Sequence, residues 1–387
     1  MQIAERTAFA WTSSPPARAG GDAEGRGGLR YCGVAARPPL SLRDISPRLT
    51  AGAEGNVESM SSEPLEIGKA PPEVLSALRA SADRAVLQGP GVGRDAAIVR
   101  WGDEALVATS DPITFVDADA GRLALAVNAN DIFAVGAEPR WLLATILAPP
   151  GTSADALQAL LAQLQDACDD EGVALVGGHT EVTDAVSRTV VSCTLIGRAP
   201  PDAIVPSDGA QDRDLILQAG PAAVEGTAIL GHPQLLERPG ISIAAAARAL
   251  RAIAGVHAMH DVTEGGIATA ALELAEAAEL SPELIFDDII WLPETLAICE
   301  SRDLDPLGLL GSGTLLAAVS PDSADRALAD LLSAGVRASM IGRVRAGIRA
   351  TLSHGGQMRP LPRFARDEAL RALDNKESPH PPSEGSC

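Results

Sequence analysis

Runs with the length and apolar content of strands alternate along most of the chain with longer runs whose apolar residues recur at helical spacing. Residues 120–136 and 153–172 both have the helical spacing and both end on a glycine, which is typical of a helix C-terminus. The other predicted helices are 222–230, 241–254, 265–278 and 323–335. The predicted strands are 96–101, 104–110, 141–148, 173–177, 189–198, 214–220, 256–261, 313–320 and 338–344.

Turn residues cluster in "APPDAIVPSDGAQD", residues 199–212, and indicate a boundary between two domains, 61–200 and 201–363. Residues 1–60 are rich in Gly, Ala, Pro, Ser and Arg and lack a persistent apolar face. We expect them to be disordered, or to result from a start codon placed upstream of Met60. The end of the chain, "NKESPHPPSEGSC", is rich in Pro and Ser, and residues 364–387 are predicted to form a flexible tail.

Composition narrows the class of protein. The net charge is −20, with 31 basic and 51 acidic residues, which argues against nucleic acid as a main partner. No apolar run approaches the roughly 18 residues of a membrane helix. The five cysteines contain no CxxC pair, which favours free thiols in a reducing cytoplasm over disulfides or a zinc site. We therefore expect a cytoplasmic protein.

Carboxylates recur where predicted strands end, at Asp95, Asp111 and Asp261. Asp131 lies inside an apolar helix, where a carboxylate is costly unless something pairs with it. Hard oxygen ligands suit Mg²⁺, so these residues predict a site for a Mg²⁺-nucleotide complex. Each aspartate also has an ordinary interpretation: Asp95 and Asp111 as turn residues, and Asp261 as a helix N-cap.

Glycines near these carboxylates give backbone N–H groups access to an anion. Gly265 and Gly266 precede a predicted helix, whose N-terminus can bind phosphate. His179 and Glu181 follow a predicted strand and lie two residues apart, so they point to the same side if the strand continues. Neither a GxxxxGK[ST] loop nor a GxGxxG loop after a strand is present, so ATP would bind by another arrangement.

Five motifs follow one another along the chain: "GPGVGRDAA", "ATSDPIT", "AVNANDIFAVGAEPRW", "VALVGGHTEVT" and "MHDVTEGGIATAALELAEAA". In this order they resemble the aminoimidazole ribonucleotide (AIR) synthetase superfamily of ATP-binding proteins over residues 64–363. The phrases "IGKAPPEVL", "GGHTEVT" and "LDPLGLLGSGTLLAAV" resemble the branch of HypE-related proteins.

The resemblance implies an α+β, PurM-like two-domain fold. Its N-terminal α+β domain forms a dimeric β-barrel with a second subunit, and its C-terminal domain is α/β. The implied cofactors are ATP and Mg²⁺, bound between the domains with help from the partner subunit of a homodimer. Members phosphorylate an amide or acyl oxygen or another small acceptor. In HypE the acceptor is a carbamoyl group on a C-terminal cysteine, dehydrated in nickel-iron hydrogenase maturation.

The resemblance also implies roles for individual residues, which we take as expectations. The expected metal ligands are Asp95, Asp111, Asp131, Glu181 and Asp261. The expected catalytic residues are Asp131, Glu264 and Cys387. The expected nucleotide contacts are Lys69, Gly91, Gly93, Asp95, Asn128, Gly177, Gly178, Thr180, Gly265 and Gly266. Lys69 is also interpretable as a solvated lysine at a helix start.

Two departures from the family pattern leave alternatives open. Arg94 stands where the family has a first aspartate, and His179 stands where it has an acid, so Glu181 is the substitute ligand. The terminal Cys387 either carries the carbamoyl group or is an incidental thiol.

One hypothesis for the function is a HypE-type enzyme with a carbamoyltransferase and other hydrogenase maturation proteins as partners. The alternatives are a kinase- or synthetase-like enzyme for another acceptor, and a non-catalytic member that binds nucleotide and a partner protein.

Overall fold

A computed structural model describes residues 65, 67–75, 77–114, 119–347 and 349–377. Residues 1–60 and Cys387, about which the sequence makes predictions, lie outside these ranges. The helices are α1 Pro72–Leu75, α2 Ala120–Ala134, α3 Ala154–Glu171, α4 Val224–Ile229, α5 Ala244–Leu250, α6 Gly266–Glu276, α7 Pro293–Arg302, α8 Ala324–Ser333 and α9 Glu368–Glu377. The strands are β1 Val86–Gln88, β2 Ala97–Trp101, β3 Glu104–Ile113, β4 Glu138–Ala148, β5 Ala174–Val182, β6 Val190–Ala199, β7 Leu215–Ala219, β8 Val256–Asp261, β9 Ser281–Ile285, β10 Leu315–Val319, β11 Ala338–Arg345, β12 Thr351–His354 and β13 Gln357–Pro360.

The first sheet contains six strands in the order β1-β2-β3-β6-β4-β5. All neighbours are antiparallel except β4 and β5, which are parallel. Leu142, Ala144 and Ile146 are buried on the face that α2 and α3 cover, and the residues between them point to the opposite, more open face. The sheet is open, with β1 and β5 at its edges, and no closed barrel forms among the described residues.

The second sheet contains seven strands in the order β13-β12-β9-β11-β7-β10-β8. Only β9 and β12 are parallel; every other pair of neighbours is antiparallel. This sheet belongs to the C-terminal domain, for which an α/β class was expected. That expectation is wrong in detail, because βαβ units would give a mainly parallel sheet. The mixed α+β content of the two-domain fold is confirmed.

One apolar core joins the two sheets. Ile132 and Phe133 of α2 belong to the same buried cluster as Leu217 of β7, Met259 of β8 and Leu315 of β10. Helix α2 is thus covered on both sides, which explains why its apolar residues are not confined to one stripe. This arrangement brings the buried polar residues of α2 close to the end of β8.

The predicted helix ends at Gly136 and Gly172 are confirmed, since both glycines have positive φ angles, of 82° and 65°. The elements that were not predicted are α1, β1, β9, α7, β12, β13 and α9. The tail predicted to begin at residue 364 is wrong up to residue 377, because α9 packs against the second domain. The buried apolar residues of α9 are Ala369, Leu370 and Ala372. No helix in the described part of the chain has the length and apolar character needed to cross a membrane.

Candidate functional site

Four carboxylates meet between the two sheets. Asp95 precedes β2, Asp111 lies in β3, Asp131 in α2, and Asp261 ends β8. The negative charges of Asp261, Asp111 and Asp95 all act on Asp131, which is 4% exposed. The structure therefore brings together four of the five metal ligands expected from the sequence.

The carboxyl of Asp131 is buried among other negative charges, which disfavours its ionised form. Burial and then the charges of Asp261, Asp111 and Asp95 raise the pKa of its carboxyl well above the usual range. The hydroxyl of Thr109 on β3 donates a hydrogen bond to Asp131 Oδ2, which lowers the pKa without reversing the shift. A cation bound here would relieve the repulsion among these carboxylates.

Asp95 and Asp261 present oxygen atoms that nothing in the described chain satisfies. Asp95 Oδ2 and Asp261 Oδ2 are both buried and have no hydrogen-bond partner there. Burial and then the charge of Asp95 raise the pKa of Asp261 well above its usual range, although His260 lowers it. Asp95, His260 and Asp261 each offer one ligand atom, and these atoms lie within 4.8 Å of one another.

A line of alternating charges leads from this cluster to the surface. His260 Nδ1 lies 2.6 Å from Asp95 Oδ1, and His260 Nε2 lies 3.1 Å from Glu273 Oε2. The other oxygen of Glu273 accepts a hydrogen bond from Lys69 Nζ at 3.1 Å. Lys69, which the sequence suggests as a phosphate contact or a solvated lysine, is thus half-exposed and paired with Glu273.

The charges along this line are mutually stabilising. Burial lowers the pKa of His260, but the Asp95 and Glu273 carboxylates outweigh it and raise the pKa to about 10. Burial raises the pKa of Glu273, but His260 and Lys69 outweigh it and lower the pKa to about 2. Burial also opposes the charge of Lys69, and Glu273 nevertheless raises its pKa. Glu273 is therefore ionised at neutral pH.

The sequence interpretation missed both His260 and Glu273. Glu273 lies three residues after Ala270 and one before Leu274, on the buried side of α6. A carboxylate on the apolar face of a helix is the same signal that identified Asp131. For His260 the only signal is its place directly before Asp261 at the end of a strand.

The Gly-rich loop before β2 serves packing. Gly93 has a φ of +70°, and a Cβ atom there would lie 2.5 Å from the carbonyl oxygen of Glu273. A Cβ atom on Gly91 would meet the side chain of Arg94, whose Nη2 lies 3.5 Å from Asp208 Oδ2. Gly93 thus lets the loop lie on α6, and the predicted contact of the two glycines with phosphate stays a prediction.

Asn128 has a structural role that the sequence did not suggest. Its Oδ1 accepts from the backbone N–H of Asp111 at 3.0 Å. Its Nδ2 donates to the carbonyl oxygens of Asp111 at 3.2 Å and Ala124 at 2.8 Å. Because its donors and acceptor are engaged in fixing β3 to α2, we no longer expect a nucleotide contact from this amide.

The glycine pair at the start of α6 is also engaged within the chain. Gly265 N–H donates to Asp367 Oδ2 at 2.9 Å, and Gly266 N–H donates to the carbonyl oxygen of Thr263 at 3.2 Å. A phosphate at this helix N-terminus would have to displace Asp367, which corrects the simple expectation. Glu264 is exposed in the turn just before this pair.

Two buried acids that the sequence interpretation did not single out surround this turn. Burial raises the pKa of Asp367 to about 6, although backbone N–H groups of Gly265, Ala369 and Leu310 donate to it. Burial raises the pKa of Glu225 on α4 to about 7, and the charge of Glu264 adds to that shift. The second domain therefore holds a further acidic group, formed by Glu264, Glu225 and Asp367.

The residues of "GGHTEVT" lie apart from the cluster. They form the outer strand β5, where His179 Nε2 pairs with Glu181 Oε2 at 3.1 Å on the exposed surface. Gly178 is level with Asp111 but three strands away, about 14 Å at the usual strand spacing. Within one chain, Glu181 therefore does not join the other expected ligands, and neither do Gly177 and Thr180.

Gly178 is required by the sheet itself. Its φ is +150°, and a Cβ atom there would lie 1.8 Å from the carbonyl oxygen of Ala144 on β4. The pairing of β4 with β5 shifts register between Leu142 and Leu143, so the close approach follows an irregularity in the strand pair. This packing explains the glycine without any ligand.

Two family models match the chain: AIR synthase related protein, N-terminal domain, over residues 93–199, and its C-terminal domain over residues 216–355. The carbamoyl dehydratase HypE of Rhizobium leguminosarum bv. viciae is 30% identical over 295 residues, covering 72% of this chain and 82% of the relative. Two solved structures share the fold. A hydrogenase maturation protein HypE in complex with ATP has a TM-score of 0.61 at 24% identity, covering 77% of this chain and 91% of that one. The HypE–HypF complex gives a TM-score of 0.62 at 23% identity, covering 70% and 94%.

Proposed function

We propose, because this chain belongs to the AIR synthase-related family and is close to HypE within it, that it is an ATP-dependent enzyme of the HypE type. The observation that carries the proposal is the cluster of Asp95, Asp111, Asp131 and Asp261 between the two domains, in which Asp131 and Asp261 are buried. Carboxylates held this close together repel one another and need positive charge nearby to be stable.

The donor set fits a divalent cation. Two buried carboxylate oxygens, on Asp95 and Asp261, lack partners among the described residues, and burial, followed by the charges of neighbouring carboxylates, raises the pKa values of Asp131 and Asp261. Asp95, Asp131 and Asp261 would hold Mg²⁺, with Asp111 at the margin of the cluster. When bound, Mg²⁺ would neutralise charge on the nucleotide phosphates.

The chemistry follows from what a carbamoyl dehydratase must do to an amide. The amide oxygen forms a bond to the γ-phosphorus of ATP while the bond from phosphorus to the ADP oxygen breaks. The bond between the carbon and this oxygen then breaks, and phosphate leaves with the former amide oxygen. One amide proton leaves with the phosphate and the other passes to a base, which leaves a nitrile.

Residues of this chain have distinct tasks in that reaction. Lys69 is half-exposed and paired with Glu273, and it is our candidate for the contact with a phosphate oxygen. Glu264 is exposed and near enough to act on the charge of Lys69, so it is our candidate for the base that takes the amide proton. Glu273 stays ionised between His260 and Lys69 and fixes both side chains.

A homodimer would complete the site. Strand β5 lies at the edge of its sheet, and only one of its sides pairs with another described strand, β4. Its residues are largely exposed, including Val176 at 54% and Val182 at 51%. An exposed apolar edge of this kind is typical of a protein–protein interface. We propose that a second copy covers it, forming the dimeric β-barrel, and that His179 and Glu181 contribute to the partner's nucleotide site.

Protein partners and the acceptor also belong to the proposal. The solved HypE–HypF complex supports a HypF-type carbamoyltransferase as a partner of this chain. Cys387 is the candidate carrier of the carbamoyl group. These assignments place the chain in hydrogenase maturation, with a different small acceptor as the alternative.

The test is mass spectrometry of the C-terminal peptide after incubation with a HypF-type carbamoyltransferase, its substrates, ATP and Mg²⁺. We expect a carbamoylated Cys387 that loses one water only when ATP is present, and no modification in Cys387→Ala. ATP hydrolysis that is unaffected by Cys387→Ala would remove the carrier role. Nucleotide binding without any turnover would favour the non-catalytic alternative.

A further inference from the structure

Asp95, His260 and Asp261 each offer one ligand atom at the carboxylate cluster, and these atoms lie within 4.8 Å of one another. Asp95 Oδ2 and Asp261 Oδ2 lack a hydrogen-bond partner among the described residues, and His260 Nδ1 lies 2.6 Å from the other oxygen of Asp95. His260 is 4% exposed and Asp261 2%, so the site is closed to bulk water. Each buried oxygen left unsatisfied costs about 1 to 3 kcal/mol, so the two carboxylate oxygens indicate a shared partner. A cation can accept lone pairs from two carboxylates and an imidazole together.

The other side of His260 has the arrangement expected of a metal ligand. Its Nε2 lies 3.1 Å from Glu273 Oε2, and Glu273 is held in turn by Lys69. A histidine that binds a metal through one nitrogen usually donates the N–H of its other nitrogen to a carboxylate, which fixes the ring and its tautomer. Glu273 fills that place, and it leaves Nδ1 directed at the cluster.

We propose that His260 is a direct metal ligand through Nδ1, together with Asp95 and Asp261. Consequently the site prefers Mn²⁺ or a similar first-row cation to Mg²⁺. The proposal rests on the proposed function, because the cation is the one that accompanies the nucleotide. Mg²⁺ favours oxygen ligands throughout, whereas imidazole suits the first-row transition ions. Binding displaces the Nδ1 proton to solvent and leaves the Nε2–H with Glu273.

The first test measures MnCl₂ binding by the loss of the free Mn²⁺ EPR signal, with MgCl₂ as competitor and a non-hydrolysable ATP analogue present. We expect the wild type to bind Mn²⁺ at least about tenfold more tightly than Mg²⁺. His260→Asn offers an amide oxygen in place of Nδ1, and we expect the preference for Mn²⁺ to fall about tenfold. An unchanged preference in this variant would overturn the proposal.

The matched control is His257→Asn on the same strand, where the ring pairs with Asp214 outside the cluster, Nδ1 to Oδ2 at 2.8 Å. It should keep the wild-type preference.

A second measurement does not depend on how the variant folds. Pulsed EPR of Mn²⁺-loaded wild type should show coupling to a histidine nitrogen, which ¹⁵N-histidine labelling identifies. Mn²⁺ bound without nitrogen coupling overturns the role of His260 and leaves the proposed function standing. Failure to bind either Mn²⁺ or Mg²⁺ with the nucleotide analogue overturns both.

Discussion

Gly93 packs directly against Glu273, whose carbonyl oxygen lies 2.5 Å from the position a Cβ atom would take on the glycine. The Gly-rich loop of the first domain therefore rests on helix α6 of the second. Two residues later the chain reaches Asp95, beside His260. This contact therefore lies beside the carboxylate cluster, to which the loop contributes Asp95 and β8 contributes Asp261.

Gly93→Ala should destabilise the protein more than Gly102→Ala. Both glycines have positive φ, of 70° and 62°, so alanine costs about 1 to 2 kcal/mol at either position. Nothing lies within 4 Å of a Cβ atom on Gly102, whereas the clash at Gly93 adds about 1 to 3 kcal/mol. Urea unfolding of the two variants measures the difference. Equal losses of unfolding free energy would mean that the loop does not rest on α6.

The pH dependence of stability should reveal Glu225. Its pKa rises from the usual 4.5 to about 7 on folding, chiefly through burial. A carboxyl with a raised pKa favours the folded state below pH 4.5, and this stabilisation is lost as the pH rises through 7. Glu225→Gln should therefore gain on the order of 2 to 3 kcal/mol relative to wild type between pH 4.5 and pH 8. Urea unfolding at both pH values measures it, with the exposed Glu300→Gln as control. An equal gain in the free energy of unfolding at both pH values would contradict the burial of an ionised Glu225.

Local patterns predicted much of this fold. The strands β3, β4 and β6 are long and apolar, and the ends of α2 and α3 are set by Gly136 and Gly172. Strand β9 was missed because its sequence, "SPELI", has neither alternation nor high strand propensity. It exists because β11 and β12 pair with it on both sides. Such tertiary pairing leaves little trace in a local pattern.

The site was predictable where a carboxylate broke an apolar pattern, as at Asp131. The same signal at Glu273 was overlooked, because a second glutamate, Glu276, follows three residues later in α6. The engagement of Asn128 and Gly265 with other parts of the chain could not be predicted, since it depends on which distant groups lie beside them. Likewise, the separation of Glu181 from Asp111 depends on the order of strands in the sheet.

Ending the chain at residue 363 should destabilise the second domain. Without α9, the apolar surface that Leu370 covers is exposed to water, which lowers the free energy of unfolding by about 1.5 to 3 kcal/mol for that side chain alone.

Asp367→Ala should lower the free energy of unfolding by about 1 to 3 kcal/mol, because the N–H of Gly265 loses its acceptor. Thermal unfolding measures both. An unchanged melting temperature in the shortened chain would restore the flexible tail predicted from the sequence.

Val176→Asp should turn the proposed homodimer into a monomer. Val176 is 54% exposed on β5, and a charge there would be buried by a second copy. Leu332→Asp is the matched control, since Leu332 is 76% exposed on α8 of the other domain. Light scattering coupled to size-exclusion chromatography gives the mass of each. A dimer that survives Val176→Asp, or dissociates equally with Leu332→Asp, would place the interface elsewhere.

The central claim is that the buried carboxylates bind a nucleotide through a divalent cation. Calorimetric titration of the wild type and Asp261→Asn with a non-hydrolysable ATP analogue, with and without MgCl₂ or MnCl₂, tests it most directly. Removing the charge of Asp261 relieves repulsion, so the variant should fold at least as stably as the cation-free wild type. We predict binding by the wild type only when a cation is present, and affinity at least about tenfold weaker in Asp261→Asn. Binding that needs no cation, or that is equal in the two proteins, would contradict the account.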